Sequence, residues 1–287
     1  MITARNYAAQ AEYDFRKASK AFMRAGEIER AEMLSRIANS IKTSIHFAIP
    51  DGGKVFGDGF KGIRNKELHL PFKKITVEFF YNRNSEDIAG IEDVISSKYV
   101  LIAEEFDEYI TIMTAQYIDR IRKWGAQSIY IKIPIKWDSK LGETADGKPG
   151  FECTSHPLID TDLRGDEYDH AAFLASTTAT CVMELVEALT CKNISTEPLE
   201  RIDQSKNARR IKDGKLPLYE TKILTVDISY SKDSKYNGIT HNDRASVRQH
   251  LRRGHIRRHP TAGNIWVNAC VVGHSELGVI DKQYAVM

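Results

Sequence analysis

The apolar positions Ala8, Ala11, Phe15, Ala18 and Phe22 follow one another at steps of three and four across residues 4–25, which lays a single stripe along a helix. Thr3 stands where its N-cap is expected. Gly26 interrupts the pattern. Ile28, Ala31, Leu34, Ile37, Ala38, Ile41 and Ile45 then resume it as far as Pro50, predicting a helical hairpin with its arginines and acids on solvent. From Pro71 the period falls to two, or to short β-rich runs: ITVEFFY (75–81), KYVLIAEEF (98–106), EYITIMTAQY (108–117) and SIYIKIPIKW (128–137) predict strands. The link between the second and third is too short for a crossover helix, so that pair is antiparallel and a meander follows naturally.

Residues 164–193 predict a long helix starting near Asp166 or Asp169. It is apolar over much of its circumference through Leu174, Val182, Met183, Leu185, Val186 and Leu189, and such a helix belongs against a sheet. Residues 205–219, SKNARRIKDGKLPLY, form a basic connection in which Gly214 and Pro217 end any helix. A strand is predicted at 220–230. Two last strands, about 249–258 and 264–272, are joined by the turn HPTAGN. Helices segregated from runs of strands give an α+β fold class: an N-terminal helical hairpin, a mostly antiparallel β-sheet with a long packed helix, and a C-terminal basic β-hairpin, in one domain over residues 1–287.

Composition narrows the setting. No apolar run approaches the roughly 18 residues of a membrane span, and the N-terminal MITARNYAAQAEYDF lacks an apolar signal core, so a cytoplasmic protein with no membrane partner is expected. Four widely spaced cysteines predict reduced thiols, with Cys181 and Cys191 as packing residues in the long helix. Cys153-x-x-His156 could supply half a zinc site, but no second pair follows at ligand spacing, and no metal is expected. Gly57-x-Gly59-x-x-Gly62 has the spacing of a dinucleotide fingerprint without the preceding strand and following helix that would bring a pyrophosphate to a helix N-terminus, so no cofactor is expected either. Glu78, Glu104 and Glu105 lack the Asp and Glu-x-Lys companions of a metal-dependent nuclease and read as strand-end carboxylates on a solvated face.

Charge is unevenly placed. Residues 201–287 hold 16 Lys+Arg against 8 Asp+Glu, whereas residues 1–200 hold 25 against 31. A basic end points to a polyanionic partner more than the total does, because local potential acts over only about 8–10 Å at physiological salt. Its centre is residues 244–259, RASVRQHLRRGHIRRH, with six arginines, three histidines, no lysine and no acid. Along an unbroken strand Arg248, His250, Arg252, Ile256 and Arg258 face one way, and Leu251, Arg253, His255 and Arg257 the other. Neither face is apolar, which makes the segment an edge or a ligand-facing element. Arginine clamps phosphate oxygens through a planar fork of donors, so Arg248, Arg252, Arg253, Arg257 and Arg258 are candidate phosphate contacts, against the plainer reading of a solvated basic edge. Trp266 is a candidate stacking platform, with core packing as its alternative.

His250 and His255 are candidate acid and base for metal-free cleavage of RNA, although their odd spacing puts them on opposite faces unless a bulge at Gly254 intervenes. Three functional readings result. The first is binding of nucleic acid, as RNA or single strands, or of another phosphate ligand. The others are a metal-independent phosphodiesterase or ribonuclease, and a protein-binding inhibitor of a host factor or structural component.

Asn207, Arg210, Gly214-Lys215, Pro217-Leu218-Tyr219, His250-Leu251-Arg252-Arg253-Gly254-His255-Ile256-Arg257, Ile265-Trp266-Val267, Gly273 and Lys282-x-Tyr284 together resemble a pattern that recurs in uncharacterised proteins of tailed phages and prophages. The likeness covers about the last 80 residues, and LPF-x-x-ITVEF at 70–79 is similar to that family's N-terminal half. It implies a mobile-element origin and expression in the cytoplasm of a bacterial host, and carries no activity and no catalytic role. Arg252-x-Gly254-x-x-Arg257 before an apolar strand also looks distantly like the core of small bacterial toxin ribonucleases, an analogy of fold alone.

Overall fold

The structure, a computed structural model, describes residues 5–55, 68–81, 98–136, 152–155, 166–199, 201–227, 248–252, 255–259, 263–267, 270–272 and 274–279. The fold is α+β. Helices α1 (Tyr7–Arg24) and α2 (Ile28–Thr43) form the N-terminal hairpin. Gly26, at φ 82°, closes the first: its N–H and that of Glu27 donate to the carbonyls of Met23 and Phe22 at 3.2 and 2.9 Å, satisfying the last turn. Ala8, Ala11 and Phe15 are buried as their period predicts, with Ala18 and Phe22 packed beside them. The expected cap Thr3 lies outside the described residues, and the helix begins after Asn6.

Helix α2 ends sooner than its period predicts. The Ser44 hydroxyl donates to the Ile41 carbonyl at 2.8 Å, and Ile45–Ala48 continue as strand β1 instead of as helix. β1 lies between β2 (Lys74–Phe80) and β8 (Thr221–Val226), parallel to both. A central strand with ladders on two sides and buried Phe47 and Ala48 outweighs the helical spacing of one isoleucine.

β3 (Lys98–Glu105), β4 (Tyr109–Ile118), β5 (Lys123–Pro134) and β6 (Glu152–Ser155) extend β2 as an antiparallel meander. With β7 (Ile194–Pro198) the sheet has eight strands in the order β6-β5-β4-β3-β2-β1-β8-β7. β5 starts five residues earlier than the alternation predicts. Extra residues between Ala126 and Tyr130 oppose Met113–Ala115, and this bulge resets the period.

The chain divides into two compact units, the first comprising Met1–Val55, Gly62–Glu187 and Thr196–Leu224, the second Phe56–Lys61, Ala188–Ser195 and Thr225–Met287. In the first, cross-strand partners share a face, so Val100 and Ala115 turn together toward the helical hairpin and bury with Ile102 and Trp124 against Phe15, Leu34, Ile37 and Ile41. Leu101 and Thr114 turn the other way. Thr114 meets Thr178 of the long helix α3 (Asp166–Leu189), hydroxyl to hydroxyl at 2.9 Å. From Cys181 to Ala188 every α3 side chain is buried, as an all-round apolar helix requires, but Glu184 and Glu187 are buried too. Glu184 accepts the Val55 N–H at 2.7 Å. Burial, with Glu184 nearby, pushes the Cys181 thiol up to about 12, which leaves it an inert packing group.

Candidate nucleic-acid interface

The basic segment of the second unit divides between two ladders. β10 (His255–His259) and β11 (Gly263–Val267) form an antiparallel ribbon, pairing Ile256 with Trp266, Arg257 with Ile265 and Arg258 with Asn264. β9 (Arg248–Arg252) lies instead in a second small sheet, between β12 (Cys270–Val272) and β13 (His274–Val279). The single strand expected at 249–258 is therefore two. A strand charged on both faces offers no apolar side along which ten residues could stay in one ladder, and two short strands with separate partners remove that demand.

Arg248, His250 and Arg252 occupy β9, opposite His274, Val272 and Cys270 respectively. His255 stands on β10 opposite Val267, so the two candidate histidines belong to different sheets. Arg253 lies outside the described residues. Arg257 and Arg258 are exposed, and as neighbours on a strand they point to opposite faces of the ribbon. Arg258 shares its face with half-buried Ile256 and Trp266, which places a cation and an aromatic ring on one side.

The ribbon has an anchor that the sequence pattern did not single out. Asn193, 4 % exposed in the turn after α3, accepts the Trp266 N–H on its Oδ1 at 2.7 Å and donates from its Nδ2 to the Trp266 carbonyl at 2.8 Å. The Lys192 N–H donates to the Asn264 carbonyl at 2.9 Å, and the Asn264 side chain donates to the Thr190 hydroxyl at 3.0 Å. β11 thus carries a second set of backbone partners on the edge away from β10. An asparagine four residues past a helix end, in Cys191-Lys192-Asn193, was the only local sign of it.

Several residues of the pattern from Asn207 to Tyr219 have structural work in the first unit. Asn207, in helix α4 (Gln204–Lys212), accepts the Leu218 N–H and donates to the Leu218 carbonyl, both at 2.8 Å. Arg210 Nε donates to the Leu216 carbonyl at 3.0 Å, and Gly214 takes φ 70° at the helix end. Asn6 donates to the Pro217 carbonyl at 3.1 Å. The Tyr219 hydroxyl donates to Glu12, while its ring stacks on His46 at 4.2 Å between centroids. Burial, and then that hydrogen bond to Glu12, push the phenol upward.

Beside that stack the same sheet face buries two titratable groups. Glu78, 3 % exposed, accepts the backbone N–H of Ala8 at 3.1 Å and of Arg5 at 3.4 Å, serving donors that the start of α1 leaves open. Burial raises its pKa above the carboxylate range, and these N–H groups oppose the shift. His46 is 5 % exposed, and neither ring nitrogen has a hydrogen-bond partner among the described residues; burial lowers it to about 4, opposed only in part by the Ile41 carbonyl.

The solvated-face reading thus fails for Glu78, because its strand lies under the start of α1. Glu104 pairs with Lys74 at 2.8 Å, and Glu105 accepts the Leu70 N–H at 2.6 Å. No group of three His, Cys, Asp or Glu among the described residues is placed to hold a metal, and no helix among them is long and apolar enough to cross a membrane. The 57–62 glycines and His156 lie outside the described residues. Comparison of the chain with protein-family models and with curated proteins gives no match.

Proposed function

We propose that this is a phage-encoded accessory protein of the bacterial cytoplasm that binds nucleic acid, as RNA or single strands, through its C-terminal arginines. The observation that carries the reading is the β10–β11 ribbon, where exposed Arg258 shares a face with half-buried Trp266, held by Asn193, and exposed Arg257 stands on the other face. Arginine supplies bidentate contacts to phosphate oxygens. An aromatic ring with part of its surface in water supplies a sequence-tolerant platform for a base. Arg248, Arg252 and Arg253 add to the local positive potential.

Affinity for a fluorescein-labelled oligo(U) RNA is expected to fall steeply between about 50 and 200 mM salt, because each neutralised phosphate releases counterions. Arg257→Ala is expected to weaken binding by about 1–3 kcal/mol without unfolding the protein, since the side chain is exposed. Binding that stays flat across that salt range rejects the reading. Turnover of the same RNA in EDTA would replace it with the metal-independent phosphodiesterase reading, in which His250 or His255 is acid or base.

A further inference from the structure

Helix α4 is an anomaly in the first unit: none of its nine residues is buried, yet it is firmly fixed. The Asp203 carboxylate caps its start by accepting the Ser205 N–H at 2.8 Å. Its end is closed by the N–H groups of Gly214 and Lys215, which donate to the carbonyls of Ile211 and Arg210 at 3.0 and 2.8 Å. Asn207 and Arg210 tie it to the return segment Leu216–Leu218. A short helix that buries nothing gains little from packing, so these polar ties are what keep it formed.

What the helix carries outward is charge. Residues 201–215 hold six Lys+Arg against two Asp, and the two acids, Asp203 and Asp213, stand at its ends as the cap residues. Lys206, Arg209, Lys212 and Lys215 are exposed and recur every third residue, and within the helix that spacing makes a ridge of cations with Cβ atoms about 5–6 Å apart. Cations in the last turn complement the helix dipole, but a ridge of them also repels itself. Beside them Ile211 is 59 % exposed, the most exposed large apolar side chain among the described residues.

We infer that α4, extended by Lys215, is a second contact for nucleic acid, binding the phosphate backbone of a single strand regardless of sequence. Evenly stepped cations match a polyanion of repeating charge better than the scattered carboxylates of a protein surface, and Ile211 adds apolar area for a sugar or base edge. Arg210, with its Nε committed to Leu216, shapes the segment and adds positive potential. The inference rests on the protein's being a nucleic-acid binder but not on the ribbon arginines.

The test is a triple variant, Arg209→Gln, Lys212→Gln and Lys215→Gln, titrated with labelled oligo(U), oligo(A) and oligo(dT) alongside wild type and Arg257→Ala. The salt slope is expected to fall by about 2–3, roughly one for each lost phosphate contact, with the affinity loss uniform across the three strands. Urea unfolding of the triple variant should match wild type, because no side chain removed is buried. Should it not match, the charge-keeping set Arg209→Lys, Lys212→Arg and Lys215→Arg must retain the wild-type slope for the inference to hold.

An unchanged slope in the Gln triple overturns the inference, and a loss seen only in Arg257→Ala then leaves the ribbon reading standing. A loss seen only in the triple rejects the ribbon and supports α4. If wild type binds none of the three strands, both fall, and an acidic protein surface becomes the partner for the ridge.

Discussion

Glu78 and Arg257 both stand on strands, but Glu78 is 3 % exposed beneath the start of α1 while Arg257 is exposed on a two-stranded ribbon. In the first unit, charge and polarity are brought inside and held by specific partners: Glu78 serves α1, Glu184 serves Val55, and Tyr219 bonds Glu12. In the ribbon of the second unit Arg257 and Arg258 are exposed, and an asparagine that bears no charge holds the backbone of β11. A buried charge costs desolvation and is kept only for what it satisfies, whereas an exposed one costs the fold little and is left to meet a ligand. Substitutions should therefore act on stability at the buried groups of the first unit and on binding at the exposed arginines of the ribbon.

The largest effect expected is at Glu78. Glu78→Ala removes the acceptor of the Ala8 and Arg5 N–H groups inside the fold, and a loss of about 3 kcal/mol in urea unfolding is expected. Glu78→Gln, which keeps an acceptor oxygen and sheds the charge, should lose less. Equal losses would mean that the charge, not the acceptor, matters. The sign of the pH dependence follows from the raised pKa: the contribution of Glu78 is fully present below its unfolded value of about 4.3 and diminishes as pH rises through its folded value.

His46 works in the opposite direction and is the next test. Its folded pKa of about 4 lies below the ordinary 6.5, so its contribution is fully present above pH 6.5 and is lost as pH falls from there toward 4. The full shift is worth about 3 kcal/mol. His46→Phe keeps a ring against Tyr219 and removes two nitrogens that no group among the described residues satisfies. Stability at pH 7 should hold or rise slightly, and the acid-side slope between pH 6.5 and 4 should flatten. A slope as steep as wild type would assign acid sensitivity to other groups.

These groups also mark where the sequence was legible. The stripe Ala8, Ala11, Phe15 and the meander β2–β5 could be read directly, because helix and strand periods recur over many residues with one face buried. β1 could not, since four residues continuing a helical period become a strand only through partners 30 and more residues away. The start of β5 was hidden by a bulge. For the candidate site, composition located the basic segment, but its division into β9 and β10 depends on pairing with residues 263–279, which the period cannot encode. Asn193 was missed and Glu78 misread as solvated for the same reason: each serves backbone groups about 70 residues distant, and a lone polar residue carries no sign of its partner.

Asn193 gives the smallest and most local test. Its side chain makes two hydrogen bonds to the backbone of Trp266 from a position 4 % exposed, so Asn193→Ala should cost about 2 kcal/mol. That cost should stay in the second unit. Amide hydrogen exchange of Trp266 and of Ile256–Arg258 is expected to quicken by about 30-fold, the factor equivalent to 2 kcal/mol, while amides of β3 keep their wild-type protection. Affinity for oligo(U) should fall as well, although no cation has been removed, because a ribbon that opens more often presents Arg257, Arg258 and Trp266 together for less of the time. Faster exchange with unchanged affinity would separate the anchor from binding and leave the arginines acting as individual charges. Unchanged exchange would mean that the ladder with β10 is sufficient to hold β11.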